Sequence, residues 1–424
     1  MHQSVYTYFI PFKGEVVIFN GLTESFFTIP TNKSQIYQEI IENPDLYVDE
    51  LPDFIARLKK DGFVTDLEDE ISLVKKKLDG LRKPDEYYLM ILPTYQCNLR
   101  CWYCVQEHED LWMTEATVDR VRRLIERKLQ DSTLRHFHLS WFGGEPLLKY
   151  DMIRDITDFS KKTAEKNGKT FSCEITTNGT LLTEKRIAEL KSAGVGSYQI
   201  TIDGTKERHD RVKVLKSKSA YETTLANVNN IVAHSHCTLR FNFTHENLDP
   251  DEIIREINQR IDEKNRQNIT FLIYKVWQED AKSVKQDDID RLYDLGNASH
   301  FFSKLPTRGL CYVDRAGFDC IFPNGKVGKC DNMNPAKVYG VLEADGTIHY
   351  PDYYNYSDAN IVLDAGSDCR ECKYLPMCWG PCSMKRPKFI GEDKKVRCNL
   401  IDKEAEMQYS IVSLCKNLLT RNGK

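Results

Sequence analysis

No run of about 18 apolar residues occurs in this 424-residue chain, and its N-terminus, MHQSVYTYFIPFKGEVVIF, lacks a basic segment leading into an apolar one. A membrane span and a secretory signal are therefore not expected, and the composition points to a cytoplasmic protein. Blocks of lysine or arginine are also missing. With a net charge of −4, a nucleic-acid partner is disfavoured. Isolated cysteines are few: of 14, only Cys173, Cys237 and Cys415 stand apart, and these read as small buried side chains. The others are concentrated, three within CNLRCWYC and eight between Cys311 and Cys398. In a reducing compartment such clustering points to metal ligation or catalysis rather than to disulfides.

The length suggests more than one domain. From Tyr87 to Ala298, the runs YYLMIL, FHLSWF, FSCEITT, SYQITI, TLRFNF and ITFLIY alternate with helical patterns such as Val118, Val121, Leu124, Ile125 and Leu129. They read as strands buried on both faces, joined in right-handed parallel units. Before them, YTYFI, EVVIFN and SFFTIP predict a small antiparallel sheet, followed by helices near Gln35–Ile41 and Leu51–Leu58. Three regions result: residues 1–85, 86–300 and 301–424.

Cys97, Cys101 and Cys104 offer three thiolates to an iron-sulfur cluster that needs four, and a cluster with one open iron can bind a reactant directly. A zinc turn is the plainer alternative, with His108 as its only further ligand nearby. The spacing, with aromatic Tyr103 before the last cysteine, resembles the radical S-adenosylmethionine (SAM) enzymes. That resemblance implies an α/β fold, a partial (β/α)6 TIM barrel whose chemistry sits at the C-terminal strand ends. It also implies SAM chelated at the open iron and cleaved reductively to a 5′-deoxyadenosyl radical. Gly143, Gly144 and Glu145, after the second strand, match the family's GGE motif for the SAM ammonium. By the same resemblance, Thr201 and Arg211 hold the SAM carboxylate, and Asp203 or Asn178 lies near its ribose. Ordinary turns and a surface arginine are the alternatives for these positions.

The C-terminal array, Cys311, Cys320, Cys330, Cys369, Cys372, Cys378, Cys382 and Cys398, resembles a SPASM domain. The resemblance implies two auxiliary four-iron clusters, making three in all. Cys311, Cys320, Cys330 and Cys382 would hold one, and Cys369, Cys372, Cys378 and Cys398 the other. Metal would then do the work of a core in a loop-rich segment, so losing iron should unfold it. A pair of zinc sites is the competing reading. Asp331 matches an aspartate that acts as a base in sulfatase-maturing relatives; an exposed loop aspartate is the alternative. Cys415 is expected to pack in the last helix.

The first 85 residues resemble the winged-helix elements that grip leader peptides, although a cap over the barrel would look the same. Together these features resemble maturases of ribosomally made peptides. The partners implied are a precursor peptide with a leader and a reducing donor such as flavodoxin or ferredoxin. The product would be a thioether, a carbon-carbon crosslink or another oxidised residue. Two alternatives stand beside this: an anaerobic sulfatase-maturing enzyme forming formylglycine from Cys or Ser, and a non-catalytic iron-sulfur electron-transfer protein.

Overall fold

A computed structural model of the chain describes residues 1–276, 278, 284–331, 340–350 and 359–422. The chain divides into two units: residues 1–84, 307–316 and 355–419, and residues 85–306, 317–354 and 420–424. The first unit begins with β1 (His2–Gln3), β2 (Thr7–Phe12), β3 (Glu15–Asn20), β4 (Phe26–Pro30), α1 (Ser34–Glu42), α2 (Pro52–Lys60), β5 (Val64–Thr65) and α3 (Ile71–Arg82). Lys13 and Gly14 both take positive φ, 48° and 84°, the turn whose twist suits the β2–β3 hairpin. The sheet runs β2-β3-β4, so β4 is an edge. Alternate residues of β3 enter different clusters. Val16 and Ile18 pack with Ile41, Ile55 and Leu58, whereas Val17 and Phe19 pack with Val74, Leu78 and the cysteine-rich segment around Tyr374 and Met377.

The second unit is built on β6 (Glu86–Ile91), α4 (Glu115–Gln130), β7 (His136–Trp141), α5 (Tyr150–Lys166), β8 (Thr170–Thr177), α6 (Glu184–Ala193), β9 (Ser197–Ile202), α7 (Lys206–Val212) and α8 (Ala220–Val232). It continues through β10 (His236–Phe243), α9 (Pro250–Asn258), β11 (Ile269–Lys275), α10 (Gln286–Ala298) and β12 (Phe302–Lys304). Thr114 and Thr183 cap α4 and α6 by accepting from backbone N–H groups, and Gly194, at φ 120°, ends α6. Strands β6 to β12 are parallel neighbours in sequence order, the connectivity of a partial barrel.

Two features depart from the sequence reading. The strands are not buried on both faces: in β9 every second residue is buried and the others are half-exposed, because the inward positions line a lumen rather than a packed core. The sheet also continues past β6. β13 (Phe318–Ile321) lies parallel to β6, and β14 (Lys326–Gly328), β15 (Gly340–Leu342) and β16 (Ile348–His349) follow antiparallel. Part of residues 301–424 thus belongs to the barrel sheet. The remainder, with α11 (Leu375–Cys378) and most of α12 (Lys403–Asn422), falls in the first unit. Among the described residues, no helix is long and apolar enough to cross a membrane.

Candidate active site

The chain leaves β6 at Ile91 and immediately forms the loop that carries Cys97, Cys101 and Cys104. The end of β7 is fastened to this loop through its backbone: Gly144 N donates to Thr94 O at 3.1 Å and Glu145 N to Gln96 O at 2.8 Å. Glycine is required for such an approach. A Cβ would stand 2.5 Å from Thr94 O on Gly143 and 2.3 Å from Gln96 O on Gly144. The fully buried Glu145 carboxylate accepts from Thr177 Oγ1 (2.7 Å), Leu147 N (3.0 Å) and Asn178 N (2.9 Å). Burial raises its pKa against the pull of those donors. Asn178 Nδ2 in turn donates to Asn98 Oδ1 at 2.9 Å and lies 3.8 Å from Cys97 Sγ. Strand ends β7 and β8 therefore both grip the cysteine loop.

At the end of β9, the buried Asp203 forms a second anchor. Tyr103 donates its phenol to Oδ1, and Lys213 Nζ lies 3.0 Å from Oδ2. Although close enough for an ion pair, that lysine is poorly aligned for a hydrogen bond, and Oδ2 has no such partner among the described residues. Lys213 Nζ instead donates to Thr201 O at 2.7 Å. His209 Nδ1 accepts from Asp203 N at 3.2 Å, and burial together with Lys213 holds this histidine well below its ordinary pKa, hence neutral. Arg211 is 64% exposed and pairs with Glu207 at 2.6 Å. A cavity of about 340 Å³ opens here, lined by Trp102, Tyr103, Asp203, Arg211, Asn242 and Asn247 among others.

Residues 91–257, which contain the cysteine loop and these strand ends, match the Radical SAM superfamily. This segment is a radical SAM domain. The chain is 30% identical over 141 residues to GTP 3′,8-cyclase 3 of Mycobacterium bovis, covering 32% of this chain and 35% of that protein. To GTP 3′,8-cyclase of Rhodopirellula baltica it is 30% identical over 155 residues, 35% of this chain and 39% of the other. The match thus spans little more than a third of these relatives. Among solved structures, anSMEcpe with bound AdoMet superposes at TM-score 0.57 and 16% identity, over 80% of this chain and 100% of that one. Streptococcus suis SuiB bound to precursor peptide SuiA superposes at 0.51 and 15%, over 94% of this chain and 100% of that one. At these identities the likeness is one of fold.

The radical SAM domain fits a cluster and SAM by the chemistry of its own residues. Burial pushes Cys97 and Cys101 up to about 11, so as free thiols they hold their protons, and a metal centre that repays the charge is what would remove them. The cavity beside them supplies amide, carboxylate and guanidinium groups, a set suited to a zwitterion. Glu145 and Asn178 are brought to the cysteine loop, with the Glu145 oxygens already engaged in holding β8; Thr201 accepts from Lys213 through its carbonyl. Lys213 was not anticipated. It lies outside any motif and reaches Asp203 only because the chain turns back at the end of α7.

Of the C-terminal cysteines, Cys369, Cys372, Cys378 and Cys398 line one cavity of about 150 Å³ together with Tyr374 and Met407. Among the described residues, no three Cys, His, Asp or Glu side chains close around a single metal ion. Cys320 is buried on β13, in register with Met90 of β6. Cys330 Sγ lies 3.7 Å from Asp331 Oδ1, and Gln106, two residues past Cys104, donates to Asp331 O at 3.2 Å. Cys311 and Cys382 belong to the first unit. Cys173 and Cys237 are buried on β8 and β10, and Cys415 on α12.

Proposed function

We propose that this chain is a radical SAM peptide maturase with three four-iron clusters, which abstracts hydrogen from a ribosomally made precursor and oxidises the residue to a crosslink. The observation that carries the reading is the pairing of two thiol sites: a three-thiol loop followed by residues that line a cavity with Asp203, Arg211 and Asn242, and four thiols that line a second cavity. When bound, cluster and SAM supply the hydrogen abstraction. The chain's residues do the rest. Tyr103, Asp203 and Lys213 fix the loop from one side, Glu145 and Asn178 fix it from the other, and Asp331, the residue after Cys330, is the base proposed to take the substrate proton. The edge strand β4 offers unpaired backbone groups to a leader, and flavodoxin or ferredoxin would supply electrons. The peptide in the SuiB structure supports a peptide substrate.

Asp331 beside Cys330 also favours a second reading, a sulfatase-maturing enzyme. The two readings separate by product. After anaerobic reconstitution and reduction with dithionite, the protein should release 5′-deoxyadenosine from SAM, and Cys101→Ala should release none. Failure of the wild-type protein with all clusters assembled overturns both readings. On co-expression with a candidate precursor, loss of two hydrogens from the peptide supports the maturase, whereas an aldehyde at a Cys or Ser of a sulfatase supports the second reading.

A further inference from the structure

The interior of a complete TIM barrel is filled by layers of branched apolar side chains. Here the inward wall of β6 to β8 is polar. Register places Cys320, Met90, Ser140 and Glu174 side by side across β13, β6, β7 and β8, with Phe318, Tyr88, His138 and Ser172 in the row beneath. Glu174 is held firmly in this wall. Tyr88 donates its phenol to Oε1 at 2.7 Å, Ser140 Oγ donates to Oε1 at 3.2 Å, and His138 Nε2 faces the same oxygen at 3.6 Å. These donors are themselves fixed. The Tyr88 ring stacks on His138 at 4.3 Å, and His138 Nδ1 bonds Ser172 Oγ at 2.7 Å.

All three contacts converge on Oε1. No donor among the described residues reaches Oε2, and the side chain remains 38% exposed. Burial alone would raise this carboxyl, yet His138, Tyr88 and Ser140 outweigh it and hold the pKa at about 2, so the group is an anion at neutral pH. No lysine or arginine among the described residues pairs with it. A fixed, partly desolvated anion whose donors all reach one oxygen has its other oxygen available to a cation brought by a ligand.

We propose that Glu174 is the lumen's acceptor for a cationic substrate side chain, an amine or a guanidinium. For what carries that cation the proposal rests on the peptide-maturase reading; for the site itself it rests on the wall. Glu174 is in this sense a specificity residue, positioned on the same inner row as Cys320.

The test is direct binding to the reconstituted full-length protein with SAM present, by calorimetry. The probes are N-acetyl-lysine methylamide and N-acetyl-arginine methylamide, against neutral N-acetyl-norleucine methylamide. The cationic probes should bind at least about tenfold more tightly, the scale of one charge-assisted hydrogen bond. Glu174→Gln keeps an acceptor oxygen for Tyr88 and Ser140 and should erase the preference in a protein that still melts cooperatively, at a lower temperature because the ionised carboxylate contributes stability. Equal binding of lysine and norleucine probes by the wild-type protein overturns the proposal without recourse to any variant, as does a preference that survives Glu174→Gln. A cation preference without modified peptide on co-expression removes the maturase reading and leaves the acceptor, and modified peptide without the preference does the reverse.

Discussion

At the scale of single residues, glycine at 144 is dictated by two carbonyls. A methyl group there would meet Gln96 O at 2.3 Å and Tyr95 O at 2.4 Å, both backbone atoms of the cysteine loop and unable to swing aside. Gly144→Ala should therefore displace the loop, costing about 1–3 kcal/mol, the scale of an overpacked site. The variant is expected to retain less iron per chain after reconstitution and to unfold at lower urea. Gly80 provides the opposite case. Nothing lies within 4 Å of its would-be Cβ in α3, so Gly80→Ala should stabilise by about 0.5–1 kcal/mol. Equal effects of the two substitutions would refute the crowding argument. Residues of this kind were legible in the sequence because motif and backbone demand coincide. Lys213 and Glu174 were not: one needs the turn after α7 to reach Asp203, and the other sits in FSCEITT, where an apolar run conceals which face is lumen.

At the scale of elements, the parallel strands were legible because each is a short apolar run bounded by helical periodicity. The β13–β6 pairing was not, since a strand more than 200 residues downstream leaves no local signal of its partner. The segment from Cys369 to Cys398 contains one short α-helix, α11, and a 3-10 helix at Arg386–Phe389, and draws its apolar contacts from Tyr374, Leu375, Met377 and Trp379 around four thiols. On the proposed reading, metal bound at this thiol-lined cavity contributes much of the segment's folding energy. Cys398→Ala should accordingly lose about four irons per chain, one cubane, and make this segment sensitive to limited proteolysis. SAM cleavage should persist, because Cys398 lies outside residues 91–257, the segment that matches the Radical SAM superfamily. Unchanged iron content would remove Cys398 from the ligand set, and loss of cleavage would show that the two thiol sites are not independent.

At the scale of the whole molecule, buried titratable groups set how stability responds to pH. His209 has a folded pKa well below its ordinary 6.5, so below pH 6.5 the unfolded chain binds a proton that the native protein refuses. Its contribution is complete above pH 6.5 and falls as the pH drops toward the folded value. Glu174 acts in the same direction over a later window: with a folded pKa of about 2 against an ordinary 4.5, its contribution is lost as the pH falls from 4.5 toward 2. Glu145, raised by burial, opposes both, since protonation relieves its desolvation. Between pH 7.5 and 5.5 the comparison of the wild-type protein with a His209 variant isolates the histidine, since Glu145 is common to both. The urea midpoint of the wild-type protein should decline across that interval, and His209→Gln, which keeps an acceptor for Asp203 N but cannot titrate, should decline less. Parallel curves for the two proteins would mean that His209 gains its proton in the folded state, and that burial beside Lys213 does not hold it neutral.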